Sequence, residues 1–96
     1  MPTKRSLPAA LKMARKARGL SQEAFSDVSS RTYVSTLERG MKNPTLSKIA
    51  VICRVLEIHP LTLLSLSYTG GSIAEFDTLA ARIRREILTL SRSAKR

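Results

Sequence analysis

The chain has 96 residues, which is enough for one domain with a single core. Seventeen lysines and arginines against seven acids give a net charge of +10, and in a chain this small that favours a polyanionic partner such as nucleic acid. Cys53 alone forms no internal disulfide or zinc site, and no run approaches the ~18 apolar residues of a membrane span, so we expect a cytoplasmic protein without metal or cofactor.

Apolar residues recur at helical spacing, without the alternation typical of strands, and this predicts an all-α fold. A first helix is predicted to begin after the N-cap residue Ser6 and to end at Gly19. A short second helix opens at Ser21. Its predicted inward-facing residues are Ala24, Phe25 and Val28.

Three further helices are predicted before residue 68. The third runs from about Arg31 to Arg39 and ends at Gly40. The fourth is capped by Thr45, and its predicted apolar stripe consists of Leu46, Ile49, Cys53 and Leu56. The fifth follows a break at residues 59–60, and its apolar residues are Leu61, Leu63, Leu64 and Leu66. Packing of these five helices is predicted to form a domain over residues 1–68.

Residues 69–96 are predicted to form a separate segment, joined by a hinge at residues 68–71. Ser72 and Glu75 have the spacing of a capping box, in which each side chain bonds an amide near the helix start. The amphipathic helix that follows has an apolar seam with a 4-3-4-3 spacing, formed by Phe76, Ala80, Ile83, Ile87 and Leu90. The seam could fold back on its own domain or pair with a second copy, and pairing is favoured.

The outer face of the third predicted helix is polar. It consists of Arg31, Thr32, Ser35, Thr36 and Arg39, without an acid at its N-terminal end. A helix of this kind fits the major groove of DNA, where its first residues reach base edges. The alternative is an ordinary solvated surface.

The segments 20–25, 33–40 and 43–46 read LSQEAF, YVSTLERG and NPTL. In this order and spacing they resemble the Cro/C1-type helix-turn-helix family of bacterial and phage repressors, and the resemblance covers roughly residues 7–67. It implies a five-helix, lambda-repressor-like DNA-binding domain followed here by the C-terminal helix.

The resemblance also implies roles for individual residues. It assigns base reading to Ser30, Arg31, Thr32 and Thr36, with a phosphate as the alternative target of Arg31. A second set of residues is expected to contact the DNA backbone, and it includes Ser35 because this residue lies on the polar face. The set consists of Gln22, Tyr33, Ser35, Arg39, Met41, Lys42 and Asn43. Tyr33 is a core residue that could also present its hydroxyl to a phosphate, and residues 3–5 either add phosphate contacts or form a disordered tail.

Arg15 and Glu38 match a family pair in which an arginine of the first helix bonds the glutamate that ends the third. We expect this ion pair to serve the scaffold. Between Gln22 and Gly40 the chain is two residues shorter than the family pattern and lacks its turn glycine, so the second helix is predicted to be shortened or the turn tightened.

The scarcity of histidine, cysteine and paired acids argues against an enzyme. The leading hypothesis is a sequence-specific regulator of transcription, a repressor that binds double-stranded DNA as a homodimer. Its interface is either the C-terminal seam or the fifth helix through Leu63 and Leu66. An antitoxin, whose C-terminal helix binds a protein toxin, is the alternative. Membrane-surface binding is disfavoured, because the polar face of the C-terminal helix carries acids and aromatic anchors are scarce.

Overall fold

The computed structural model describes residues 5–94, with the backbone alone at Arg31. Over this range the chain is all-α and has no strand, as the apolar spacing predicts. The elements in chain order are α1 (Leu7–Ala17), a 3-10 helix (Gln22–Phe25), α2 (Arg31–Glu38), α3 (Leu46–Leu56), α4 (Pro60–Thr69) and α5 (Ile73–Ala94).

Short-range capping chemistry sets the ends of the helices. Hydroxyl oxygens of the N-cap residues Ser6, Ser30 and Thr45 accept hydrogen bonds from backbone amides three residues later, at 3.3, 3.0 and 3.2 Å. Gly40 follows α2 with φ of 74°, a left-handed conformation that glycine adopts without strain. The predicted caps and the predicted stop of α2 are confirmed.

The second predicted helix is a single 3-10 turn, which confirms that this segment is shortened. Phe25 is fully buried, and Val28 is half-buried. The prediction that Ala24 faces inward is wrong, because the side chain is exposed. In a turn this short, only one residue can point directly at the core.

The core consists of two clusters of buried, mostly aliphatic residues, and Phe25 belongs to the first. One contains Leu11, Phe25, Val34, Leu37, Ile52 and Leu56, and the other contains Ala10, Ile49, Cys53 and Leu63. Leu46 was predicted to continue the α3 stripe but is 74% exposed, since it is the first residue of α3 and precedes the part that packs. Leu63 is 2% exposed, so its side chain belongs to this core and is not accessible for the alternative dimer interface through the fifth predicted helix.

The side chain of Arg18 hydrogen-bonds backbone carbonyls at the C-terminal end of α3. Its Nε donates to the carbonyl of Leu56 at 2.9 Å, and its Nη2 donates to the carbonyl of Glu57 at 3.2 Å. Glu57 caps α3 with φ of 58°, an uncommon left-handed conformation for a residue with a side chain. Arg18 therefore ties the end of α1 to the end of α3.

The junction between α4 and α5 lies later than predicted. Tyr68 and Thr69 are helical, and Thr69 is buried, so the turn itself consists of Gly70 and Gly71, both with positive φ. The Ser72 hydroxyl accepts from the amide of Glu75 at 3.2 Å. This is half of the predicted capping box.

The other half of the capping box is absent: the amide of Ser72 donates to the carbonyl of Thr69 at 3.3 Å, and Oε1 of Glu75 pairs with Arg5. Arg5 therefore lies at the start of α5, and the phosphate contacts considered for the N-terminal arm stay a prediction. Residues 3 and 4 of that arm lie outside the described residues.

α5 extends beyond the rest of the domain. None of its residues is buried, and the radius of gyration is 15.1 Å, whereas a compact chain of this length has about 12.5 Å. The apolar seam therefore does not fold back on its own domain. Within residues 5–94 no single helix has the length and hydropathy to cross a membrane, although α3 and α4, bent by 99° at their junction, pass that test together.

Candidate nucleic-acid interface

α2 presents a polar face on the side opposite the core. Val34 and Leu37 point inward and are buried. The outward positions follow the i, i+3, i+4, i+7 spacing of one helix face, and they are Thr32, Ser35, Thr36 and Arg39. Thr32 and Arg39 are exposed, while Ser35 and Thr36 are half-buried along the sides of this face. The structure therefore places four predicted contact residues on one surface.

The N-terminal end of α2 has no acidic residue in its first turn. Its backbone amides and the helix dipole therefore favour an anion there. Ser30 uses one lone pair of its hydroxyl oxygen for the cap, so the hydroxyl hydrogen and the second lone pair are what it can offer to a base. The side chain of Arg31, predicted to read bases, lies outside the described part of the structure.

Thr36 has a restricted hydrogen-bonding capacity. Its hydroxyl donates to the carbonyl of Thr32 at 2.6 Å, one helical turn earlier. The Thr36 oxygen can still accept from a base amino group, and the methyl group can contact a thymine methyl. The hydrogen bond also fixes the rotamer, so these two groups are held in place before any partner binds.

Two lysines lie close to the ring of Tyr33. The Nζ of Lys42 is 5.7 Å from the ring centroid, and the Nζ of Lys48 is 5.2 Å from it, within the range of cation–π attraction. Tyr33 is half-buried against the core, so the ring is a fixed platform between a loop and α3. The cluster of Tyr33, Lys42 and Lys48 concentrates positive charge beside α2.

The loop after α2 is exposed along its length. Met41 is 66% exposed, and Lys42 and Asn43 are also exposed. The amide of Met41 donates to the carbonyl of Thr36 at 3.1 Å, which attaches the loop to the end of α2. These predicted backbone-contacting residues therefore extend from the same side of the domain that α2 presents.

A buried ion pair supports α2 from behind. The Nε and Nη2 of Arg15 donate to the two carboxylate oxygens of Glu38 at 2.6 and 2.9 Å, and Nη1 donates to the carbonyl of Leu20 at 2.9 Å. The side chains of Arg15 and Glu38 are 11% and 5% exposed. The hydrogen bonds to Glu38 raise the pKa of Arg15 above its ordinary value. The predicted scaffold pair is present, and the negative charge of Glu38 is directed away from the polar face.

Gln22 joins this pair from the 3-10 helix. Its amide nitrogen donates to Glu38 Oε1 at 3.2 Å, which leaves the second amide hydrogen and the carbonyl oxygen for other partners. The bond holds the 3-10 helix against the end of α2. Gln22 thereby braces α2, while its predicted phosphate contact stays a prediction.

The side chains that most often take part in metal binding or catalysis have structural positions here. Among the described residues, no three His, Cys, Asp or Glu side chains come together as a metal site. Cys53 is fully buried, and burial raises the pKa of its thiol, which favours the unreactive protonated form. His59 caps α4, because its Nδ1 accepts from the amide of Leu61 at 3.0 Å.

Lys48 also lies at this surface, although the sequence pattern did not single it out. Lys48 is in the first turn of α3, next to the buried Ile49 but off the apolar stripe, and that position is a signal that it faces outward. Its approach to Tyr33 depends on how α3 packs against α2. Spacing within one helix contains no information about that packing.

The model of the helix-turn-helix family matches residues 11–63, more than half of the chain. The match begins within α1 and ends within α4, so it includes the 3-10 helix, α2 and α3. The chain matches no curated protein and no solved structure.

Proposed function

Because the chain belongs to the Cro/C1-type helix-turn-helix family and is a DNA-binding transcription regulator, we propose that it represses transcription by binding a palindromic operator as a homodimer. The observation that carries the proposal is the polar, acid-free outer face of α2, held from behind by the buried pair of Arg15 and Glu38. The proposed action is binding without catalysis.

Sequence is read by the N-terminal half of α2 in the major groove. The proposed base-reading residues are Ser30, Arg31, Thr32 and Thr36. Thr32 supports this assignment because it lies near the centre of the outward face and is exposed. Thr36 adds a methyl group and an oxygen held in one rotamer. Arg31 is the first residue of α2, and we propose that it pairs with a guanine edge, the contact that discriminates most strongly between base pairs.

Phosphates are bound around this helix by the residues that flank it. The proposed set consists of Gln22, Tyr33, Ser35, Arg39, Met41, Lys42 and Asn43, and we add Lys48. The two lysines beside the Tyr33 ring support the assignment, since their charges lie on one side of α2 and neither forms a salt bridge with another described residue. Such contacts provide affinity and orientation, whereas base contacts provide the sequence preference.

The two-fold symmetry of a homodimer matches that of a palindromic operator. One recognition helix reads only a few base pairs, and two helices related by a two-fold axis reach half-sites about one turn of DNA apart. We propose that residues 1–68 form the DNA-binding domain and residues 69–96 the dimerisation segment. The exposed apolar seam of α5 supports this division.

The test is to sequence genomic fragments retained by the purified chain at near-physiological salt, and to place the enriched fragments before a reporter gene. The proposal predicts a shared, two-fold symmetric sequence and reporter output that falls when the chain is expressed. A reporter that rises would reverse the sign of regulation. Retained fragments without any shared sequence would contradict operator recognition.

A second candidate function is that of an antitoxin, in which α5 binds a protein toxin while the helix-turn-helix domain represses the common operon. The exposed seam supports this alternative as well, because it offers an apolar helix face to a partner. The test is to express the adjacent reading frame with and without this chain. Growth arrest that the chain relieves, together with a stable complex of the two proteins, would favour the antitoxin.

A further inference from the structure

The ring of Tyr33 is the point at which α2, the loop after it and α3 meet. The Nζ of Lys42, from the loop, and the Nζ of Lys48, from the first turn of α3, lie over this ring at 5.7 and 5.2 Å from its centroid. Each ammonium group is within the distance of cation–π attraction. Two positive charges from separate parts of the chain therefore share one aromatic side chain.

The fold fixes the position of this ring. The amide of Tyr33 donates to the N-cap hydroxyl of Ser30 at 3.0 Å, which holds its backbone in the first turn of α2. The side chain is half-buried and packs against the core cluster that contains Val34 and Leu37. The ring is therefore in place before any DNA is bound.

The two lysines have few other contacts that would order them. Lys42 is exposed, Lys48 is half-buried, and neither forms a salt bridge with another described residue. A lysine has a flexible four-carbon stem, and ordering that stem at a phosphate has an entropic cost. A side chain that is already held over a ring loses less freedom when a phosphate binds.

We infer that Tyr33 is a positioning residue, whose ring holds the ammonium groups of Lys42 and Lys48 in place for the phosphates beside α2. The inference rests on the proposed function and specifies that Tyr33 takes part in phosphate binding through its ring rather than its hydroxyl. Because Tyr33 follows Thr32 directly in α2, the same ring ties the two lysines to the helix that carries the proposed base-reading residues.

Two substitutions of Tyr33 separate the ring from the hydroxyl. Tyr33→Phe keeps the ring and removes the hydroxyl, whereas Tyr33→Leu keeps an apolar side chain for the core and removes the ring. Binding is measured on a duplex of scrambled sequence, because phosphate contacts do not depend on the sequence. We expect Tyr33→Leu to weaken binding about fivefold or more, and Tyr33→Phe to stay within about twofold of the unmodified chain.

Tyr68→Leu is the matched control, since it removes the other tyrosine ring from a position in α4 that is 72% exposed. We expect this variant to bind the scrambled duplex like the unmodified chain. Binding by Tyr33→Phe as weak as that by Tyr33→Leu would assign the effect to the hydroxyl and overturn the inference. Equal losses in Tyr33→Leu and Tyr68→Leu would overturn it as well.

A double-mutant cycle separates positioning from a general loss of structure. Lys48→Ala is measured in the unmodified chain and in the Tyr33→Leu variant, on the same duplex. If the ring positions Lys48, removing the lysine costs less affinity once the ring is gone, and we expect that loss to be about threefold smaller or more. The same loss in both backgrounds would overturn the inference, because a purely structural effect of Tyr33→Leu adds to that of Lys48→Ala without coupling.

Nuclear magnetic resonance of the full chain without DNA provides a readout that does not depend on binding. Protons over the face of an aromatic ring are shifted upfield, so we expect upfield ε-methylene resonances for Lys42 and Lys48 and ordinary ones for the exposed Lys16. The upfield shifts should persist in Tyr33→Phe and disappear in Tyr33→Leu. Ordinary resonances for both lysines in the unmodified chain would overturn the inference. Failure of the chain to select any DNA sequence would instead contradict the proposed operator recognition and would leave these shifts unchanged.

Discussion

Arg15 donates two hydrogen bonds to the carboxylate of Glu38, at 2.6 and 2.9 Å, from a position 23 residues earlier in the chain. Glu38 is the last residue of α2, and it also accepts a hydrogen bond from Gln22 in the 3-10 helix. The pair therefore joins α1, the 3-10 helix and α2 at one buried point. The orientation of α2 depends on this point rather than on contacts of its outer face.

Replacing Arg15 by alanine is expected to destabilise the fold by about 3–5 kcal/mol, because Glu38 would remain as a buried charge without its partner. Urea unfolding of the two proteins gives the difference. Lys16→Ala is the matched control, since Lys16 is exposed in the same helix, and its effect is expected to stay within about 0.5 kcal/mol. Equal stability of the Arg15 and Lys16 variants would mean that the pair contributes little.

Replacing Lys48 by alanine is expected to weaken binding to all DNA sequences alike. Removal of one phosphate contact lowers the slope of log affinity against log salt concentration by about 0.9. Titrations of specific and scrambled duplexes at several salt concentrations measure both quantities. Arg54→Ala removes the same charge from an exposed position near the other end of α3 and is expected to leave the slope unchanged. The same loss in both variants would assign the effect to net charge.

Thr36→Val preserves the shape of the side chain and removes the oxygen that can accept from a base. We expect the preferred base at one position of the half-site to change, with a loss of about 1–3 kcal/mol on the original sequence and an unchanged salt slope. Thr78→Val is a close control, because Thr78 makes the same hydrogen bond to a carbonyl one turn earlier, in α5. An unchanged sequence preference in Thr36→Val would remove this residue from the base-reading set.

Cys53 is expected to resist thiol reagents in the native protein and to react fully in urea, as followed by mass spectrometry. Burial raises the pKa of this thiol in the folded state, so the folded state holds the proton more tightly than the unfolded state. The stabilisation that comes from this shift is fully present below the ordinary pKa of the thiol and is lost as the pH rises through the raised pKa. The free energy of unfolding should therefore decrease more between pH 7 and pH 9.5 for the unmodified chain than for Cys53→Ala.

Most of the fold could be predicted because local chemistry sets the helix ends. Ser6, Ser30 and Thr45 cap helices through atoms three residues away, and Gly40 ends α2 in a conformation that favours glycine. The two missing residues before α2 predict a shortened second helix or a tightened turn, and the four-residue 3-10 helix is the first of these alternatives.

Several contacts that the sequence did not predict join distant segments. Arg5 and Glu75 are 70 residues apart in sequence, so their pairing had no local signal. Arg18 bonds carbonyls at the end of α3, in residues 38 and 39 positions later in the chain. Lys48 approaches Tyr33 only through the packing of α3 on α2. Each of these depends on tertiary geometry that periodicity within a helix does not contain.

The account is tested most directly by selecting bound sequences from a random pool of double-stranded DNA at near-physiological salt and titrating the selected duplex against a scrambled one. We expect a two-fold symmetric sequence with half-site centres about ten base pairs apart, bound about 10³-fold or more tightly than scrambled DNA. Enrichment of no sequence, with binding that disappears as salt rises, would mean that the net charge of +10 acts without recognition and would contradict the account.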